Sequence, residues 1–112
     1  MSDVATVDAL RVINFSAISG TYAQVGTALE YITRIICFTN NTDGDLIVSL
    51  SRGAPFEDNL IMPAGSFKLF DLTTNKGQVN TTWVFPPGTP FYVKQLTAPT
   101  SGNFYVECIH QR

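Results

Sequence analysis

Two runs of β-forming residues, Tyr31–Thr39 and Leu46–Leu50, flank the polar stretch Asn40-Asn-Thr-Asp-Gly-Asp45, and this pattern constrains the chain more than any other. Val, Ile, Thr and Phe suit a pleated, half-buried surface, and Asp43-Gly44 supplies residues that tolerate positive φ. The spacing predicts a β-hairpin with its tip at residues 40–45. Ile35 and Cys37 alternate with Ile36 and Phe38, so both faces of the first run are apolar, which predicts a central strand covered on both sides. Leu46, Val48 and Leu50 share one face of the second run.

The rest of the chain repeats short strand, turn, short strand. Leu10–Phe15 reads as a first strand, and 16–27 as an extended, irregular segment rich in Gly, Ser and Thr. Leu60–Met62, Ser66–Leu72, Val79–Phe85, Phe91–Leu96 and Phe104–His110 read as further strands. Within these, Phe67 and Leu69 lie opposite Lys68 and Phe70, while Phe104, Val106 and Cys108 lie opposite Tyr105, Glu107 and Ile109. The turns are Thr73–Gly77, Pro86–Pro90 and Thr97–Asn103; the prolines of the second fix φ and remove ladder donors. About eight short strands with turn signals every 8–12 residues or so predict an all-β fold, an antiparallel jelly-roll-like sandwich without a major helix. The sandwich is expected over residues 10–112, preceded by a flexible arm at 1–9.

At 112 residues the chain makes one domain. Only 14% of residues are charged, against about 25% in ordinary soluble proteins, and the surface left is rich in Thr, Ser and Asn. That composition leans towards a protein covered by partners. The net charge is −2, and the basic residues are scattered, so phosphate-driven nucleic-acid binding is not expected. No apolar run approaches the roughly 20 residues of a membrane span. Residues 1–8 lack the basic and apolar regions of a secretory leader, so a chain made in the cytosol is expected.

No stretch carries a catalytic motif, and neither an enzyme nor a cofactor is expected. Asp43 and Asp45 beside Asn40 and Asn41 offer the oxygens calcium takes, but without the spacing or bidentate Glu of an EF-hand; a solvated turn is the simpler reading. Glu57-Asp58 point apart as neighbours, and His110 has no triad partner. Cys37 and Cys108 with one His make no metal pattern and read as thiols packed as small hydrophobes. The aromatics, Trp83 and Tyr92 among them, read mainly as core, with a stacking platform for sugars as the alternative. The second faces of the strands, carrying Phe70, Tyr92, Leu96, Tyr105 and Ile109 among Lys68, Lys94 and Glu107, suit a protein interface.

Arg34-Ile-Ile, Asn40-Asn-Thr-Asp, Val48-Ser, Pro63-Ala-Gly-Ser, Phe70-Asp, Asn75-Lys, Pro87-Gly-Thr-Pro-Phe-Tyr-Val-Lys94 and Ala98-Pro-Thr-Ser-Gly102 occur in that order. From about residue 31 to 110 the chain thereby resembles small virion proteins of tailed bacteriophages, of the capsid decoration, cement or staple type. The loop Ser51–Phe56 departs from the shorter Asp-Gly turn of that pattern. The resemblance implies a jelly-roll-like sandwich that self-associates, often as a dimer, and binds across major capsid protein subunits to reinforce the shell, with the virion as its location. A collar, head–tail or tail-adaptor subunit and, from another class, a carbohydrate-binding module are the competing readings. Partner contacts are expected on the loops and second faces: Asn40, Asn41, Asp43 and Asp45 at the hairpin tip, Arg52 and Phe56 in the 51–59 loop, Pro87, Tyr92 and Tyr105.

Overall fold

The computed structural model describes residues 5–72 and 85–111; the expected turn at 73–77 and, apart from Phe85, the expected strand over 79–85 with Trp83 lie outside the described residues. Nine strands among the described residues form two antiparallel sheets. In the first, β1 (Ala5–Val7) and β2 (Arg11–Asn14) pair with one edge of β9 (Gly102–Gln111), β9 pairs with β4 (Thr33–Thr42), and β4 pairs with β7 (Phe67–Asp71). In the second, the order is β3 (Ala23–Gln24), β8 (Tyr92–Gln95), β5 (Leu46–Ser49) and β6 (Leu60–Met62). The two sheets enclose one core, as the sandwich expectation requires. A 3-10 turn at Phe15–Ala17 follows β2 and is capped by the Asn14 side chain, which accepts from Ser16 N.

The predicted hairpin is not one. β4 and β5 belong to different sheets, and the chain crosses the sandwich between them. Asn40, Asn41 and Thr42 extend β4 because β9 supplies partners for them in Phe104, Asn103 and Gly102, leaving only Asp43–Asp45 for the crossing. The crossing is tight: a Cβ on Gly44 would lie 2.5 Å from the Thr97 carbonyl oxygen. Alternating runs look the same whether two strands pair edge to edge or stack face to face, since both arrangements put one face of each strand on the core. β4 is central within its sheet, but Ile36 and Phe38 are fully buried while Ile35 and Cys37 are half-exposed, so it is covered on one side only.

The core is aromatic at its centre. Phe38 of β4 lies 5.9 Å from Phe70, 5.8 Å from Phe91 and 6.4 Å from Phe104, ring centroid to ring centroid. Leu46 and Val48, Met62, Val93, Val106 and Cys108 complete it from both sheets. The irregular segment and the residues just after it contribute to the core: Val25 and, beyond the segment, Leu29 are buried, and their N–H groups donate to Phe91 O at 2.8 Å and Thr89 O at 2.9 Å. Phe104, Val106 and Cys108 point inwards as expected. β7 is turned over: Ile36 and Phe38 stand opposite Phe70 and Lys68, so Phe70 packs on the core, whereas Phe67 is 69% and Leu69 58% exposed. One face of β7 carries Phe67 and Leu69 and the other Phe70 beside Lys68, so both offer large apolar side chains and the register with β4 decides between them.

Residues 5–9 are not a free arm. β2 covers Asn103–Val106 of β9, and β1 takes the next stretch of the same edge, Ile109–Gln111, with Asp8 N donating to Cys108 O at 2.9 Å between them. This arrangement depends on a buried arginine. Arg11 is 6% exposed; its Nε donates to Thr27 O at 2.6 Å, Nη2 to Ala28 O at 3.3 Å, and Nη1 to Asp8 Oδ2 at 3.1 Å. Its guanidinium sits 5.6 Å from the centroid of the Phe91 ring. A buried guanidinium needs such a set of acceptors, because its desolvation cost is otherwise unmet. Burial raises the Asp8 pKa, but the Arg11 hydrogen bond and the Ala9 N–H outweigh it and hold the carboxyl below its ordinary value.

Candidate functional site

Three surfaces collect the candidate residues. The first is the sandwich end where residues 43–45, 63–66 and 97–103 meet. Asn40 is fully buried there and offers no surface to a partner. Its Nδ2 donates to Gly44 O and Met62 O, both at 2.9 Å, and its Oδ1 accepts from Thr42 N at 3.0 Å. Asp43 Oδ1 accepts from Thr100 N at 2.7 Å and Ser101 N at 3.3 Å, and Oδ2 accepts from the Thr100 hydroxyl. Asp45 Oδ1 accepts from Ala64 N at 2.9 Å. The Asn40, Asp43 and Asp45 oxygens therefore tie loops to one another, and no group of three or more His, Cys, Asp or Glu is gathered among the described residues.

The Thr100 hydroxyl first, and then its N–H, hold the Asp43 carboxyl below the ordinary carboxylate value. The linkage sign follows: a carboxyl with a depressed folded-state pKa adds stability above its unfolded value of about 4, and loses it as pH falls through the folded value. Asp43→Asn should thus be less stable than the parent chain at pH 7, with the gap closing below about pH 4. Urea titrations at pH 7 and pH 2.5 test this; an equal gap at both would show that the carboxylate charge is irrelevant to the loop.

The second surface is the outer face of the β3–β8–β5–β6 sheet, where the 50–59 loop lies across the strands. Leu46 and Val48 point inwards, so Ile47 and Ser49 point outwards, yet they are only 6% and 0% exposed. Phe56 packs 4.6 Å from Tyr92 and 5.3 Å from Tyr22, centroid to centroid. Tyr22 OH donates to Asp58 Oδ1, Lys94 Nζ lies 3.6 Å from the same oxygen, and that ammonium sits 4.8 Å from the Tyr22 ring centroid. Burial first, and then the Asp58 hydrogen bond, push the Tyr22 hydroxyl pKa well up; the same bond holds the Asp58 carboxyl down. Arg52 Nη2 donates to Pro87 O at 3.3 Å. Phe56 is thus brought to Tyr92, and Arg52 to Pro87, as parts of a strap that closes this face. Its rings pack against each other at tilted angles and present no flat, free platform.

The third surface is the outer face of the other sheet, and it has no such strap among the described residues. Register sets Val12, Tyr105, Thr39 and Phe67 in one row across it. Glu107, Cys37 and Leu69 form the next row, and Val7, Ile109, Ile35 and Asp71 the one after. Asn14, Asn103 and Asn41 line one end. Val7 is 75% exposed, and Val12 47%. Of the sequence candidates, Tyr105 and Asn41 belong here, whereas Tyr92 and Lys94 belong to the strapped face and Phe70 and Lys68 to the inner side. Phe67, Leu69, Val7 and Val12 are not among the sequence candidates for contact; on β7 the pair Phe67 and Leu69 shares one face, but the other, with Phe70 and Lys68, is the one read as the contact face.

Two features of this open face stand out chemically. A register shift between Thr33, opposite His110, and Ile35, opposite Ile109, leaves Arg34 as the extra residue of a β-bulge. Arg34 Nε is buried with no acceptor. Cys37 sits mid-face as a free, half-exposed thiol; Cys108, on the inner face, is pushed up to about 11 by burial, with Arg11 nearby partly opposing the shift. His110 is buried at 4% exposure, stacked on Tyr31 at 4.4 Å, with neither ring nitrogen hydrogen-bonded.

The fold and surfaces define an all-β sandwich with one strapped and one open sheet face. In comparison with known proteins, no family model matches the chain, and neither a curated protein nor a solved structure matches it.

Proposed function

We propose that the chain is a non-enzymatic structural protein of a bacteriophage virion, of the decoration or cement kind, which binds across neighbouring major capsid protein subunits and stabilises the shell. One observation carries the protein-contact part of this reading: the polar side chains at the loop ends and on the strapped face hydrogen-bond within the chain, while the broad uncovered feature is an apolar sheet face. Exposed apolar patches of this breadth mark contact surfaces. The shell as partner is supported by the resemblance of the turn and strand motifs from residue 31 to 110. Many copies on a lattice would add weak contacts into firm attachment.

The test is to add purified, labelled chain to particles that lack it and to locate bound density by cryo-electron microscopy. Density spread over the shell at two- or three-fold positions is the expected result. Density confined to one vertex would replace the reading by a neck or tail subunit. No binding would overturn it, and glycan binding would then be the reading to pursue.

A further inference from the structure

We propose that the 50–59 loop is a hinged cover that opens as one piece while the sandwich stays folded, and that its opening controls access to the outer face of the β3–β8–β5–β6 sheet. The inference goes beyond the shell reading and does not depend on it.

The loop is closed on itself at a narrow neck. Asn59 N donates to Val48 O at 3.0 Å and Leu50 N to Asn59 Oδ1 at 2.8 Å, which pins its two ends together. Ser51 N donates to Ser49 Oγ at 3.2 Å, and Glu57 N to Ser51 Oγ at 3.0 Å. All four bonds join residues between Val48 and Asn59, so they persist when the body of the loop swings about its neck. Compact surface loops with their ends together behave as preformed units.

Only side chains hold this unit down. Among the described residues, no backbone–backbone hydrogen bond joins 50–58 to the rest of the chain. Phe56 reaches across to the Tyr92 and Tyr22 rings, Asp58 to the Tyr22 hydroxyl and Lys94, and Arg52 to Pro87 O. Arg52 and Asp58 are exposed, and polar contacts at exposed positions hold weakly. Lifting the loop therefore breaks one ring cluster and two solvent-screened contacts, and leaves the strand ladders whole. Segments attached in this way open at a fraction of the global unfolding free energy.

The cover has something to hide. Ile47 and Ser49 point outwards from β5 yet are buried, whereas Ile61, in register with Ile47 on β6, is 61% exposed. The loop thus sits over β8 and β5 and stops short of β6. Arg52, Phe56, Pro87 and Tyr92, all expected from the sequence to meet a partner, meet one another in the closed state. Any molecule that uses Tyr92 or Ile47 must find the loop open, so its apparent affinity is scaled down by the open fraction.

The experiment is thiol labelling of the full chain with dithionitrobenzoate, at fixed pH and at rising urea below the unfolding transition. Ser49→Cys places a reporter under the loop, in a Cys37→Ser background that removes the half-exposed native thiol. Cys108, in the core, reports global unfolding. The Ser49→Cys thiol should react at least about a hundredfold faster than Cys108, at a rate that barely changes with urea, because local opening bares little surface. Cys108 should quicken steeply with urea. Phe56→Ala should speed labelling under the loop about tenfold or more, since it removes two ring pairs, and Asp58→Ala by a smaller factor, about two- to fivefold. Ile36→Val, in the core, should speed Cys108 about two- to tenfold and leave the Ser49→Cys rate alone, because the open and closed forms share that core. A Ser49→Cys thiol that reacts at the Cys108 rate and with the Cys108 urea slope would overturn the proposal, as would a Phe56→Ala rate equal to the parent's. If Ser49→Cys does not fold, Ile47→Cys decides by the same criteria.

Discussion

Phe38→Ala is expected to lower the stability of the chain by about 3–5 kcal/mol, close to the upper end for a single core truncation. Phe38 is fully buried on the central strand β4, and its ring meets Phe70, Phe91 and Phe104, which arrive from three other segments. None of these can follow the lost ring inwards without pulling its own strand out of register, so the cavity would collapse only in part. Against a total stability of about 5–15 kcal/mol for a domain, little would be left. With a urea slope of roughly 1–2 kcal/mol per molar, the midpoint should fall by about 2 M or more; an unchanged midpoint would show that the sheets do not pack through this ring.

Asn40→Leu is expected to be nearly as damaging, by about 2–5 kcal/mol, for the opposite reason. Leucine matches the burial and the volume but makes no hydrogen bond. It would strand the Met62 carbonyl and the Thr42 N–H, at about 1–3 kcal/mol for each buried group left unpaired, while the Gly44 carbonyl keeps the Thr42 hydroxyl at 3.1 Å. Asn40→Asp separates the polar requirement from the shape. It keeps the acceptor for Thr42 but turns a carboxylate oxygen towards carbonyl oxygens, so it should be destabilised at neutral pH and recover in part once acid protonates it. If Asn40→Leu unfolds at the same urea concentration as the parent, the loops at this end are held by something other than Asn40.

Strand positions were legible in the sequence to within a residue or two wherever turn formers bounded a β-rich run, as at Leu60–Met62, Tyr92–Gln95 and Phe104–His110. Facing was legible where polarity alternated: Phe104, Val106 and Cys108 against Tyr105, Glu107 and Ile109. It was lost on β7, where both faces are apolar and only the pairing of Phe70 with Ile36 and of Lys68 with Phe38 decides. Pairing itself was not legible. The Tyr31–Leu50 stretch has the composition of a hairpin, yet β9, some sixty residues further on, competes successfully for β4. The same limit applies to side chains whose role depends on distant backbone. Asn40 and Arg11 look like surface residues by type, and only the arrival of Met62 and Gly44 around one, and of Thr27 and Ala28 around the other, makes them internal. Of the candidate contact residues, Tyr105 lies on the open face through its alternation with Phe104, whereas Asn41, expected at a hairpin tip, lies there because β4 runs on past it beside β9; the most exposed apolar residues of that face went unseen with β7.

The position of β9 has a consequence for how the chain acquires this structure. β9 is the strand on which β1, β2 and β4 all assemble, and every one of those partners precedes it in the chain. During synthesis at about 5–20 residues per second, the first two-thirds of the sequence must wait for several seconds with β4 lacking its longest neighbour. Contacts between segments so far apart in sequence close slowly. The apolar residues of β2 and β4 are exposed throughout that interval, so the yield of soluble chain should depend on temperature and on chaperone supply more than the stability of the finished fold would suggest.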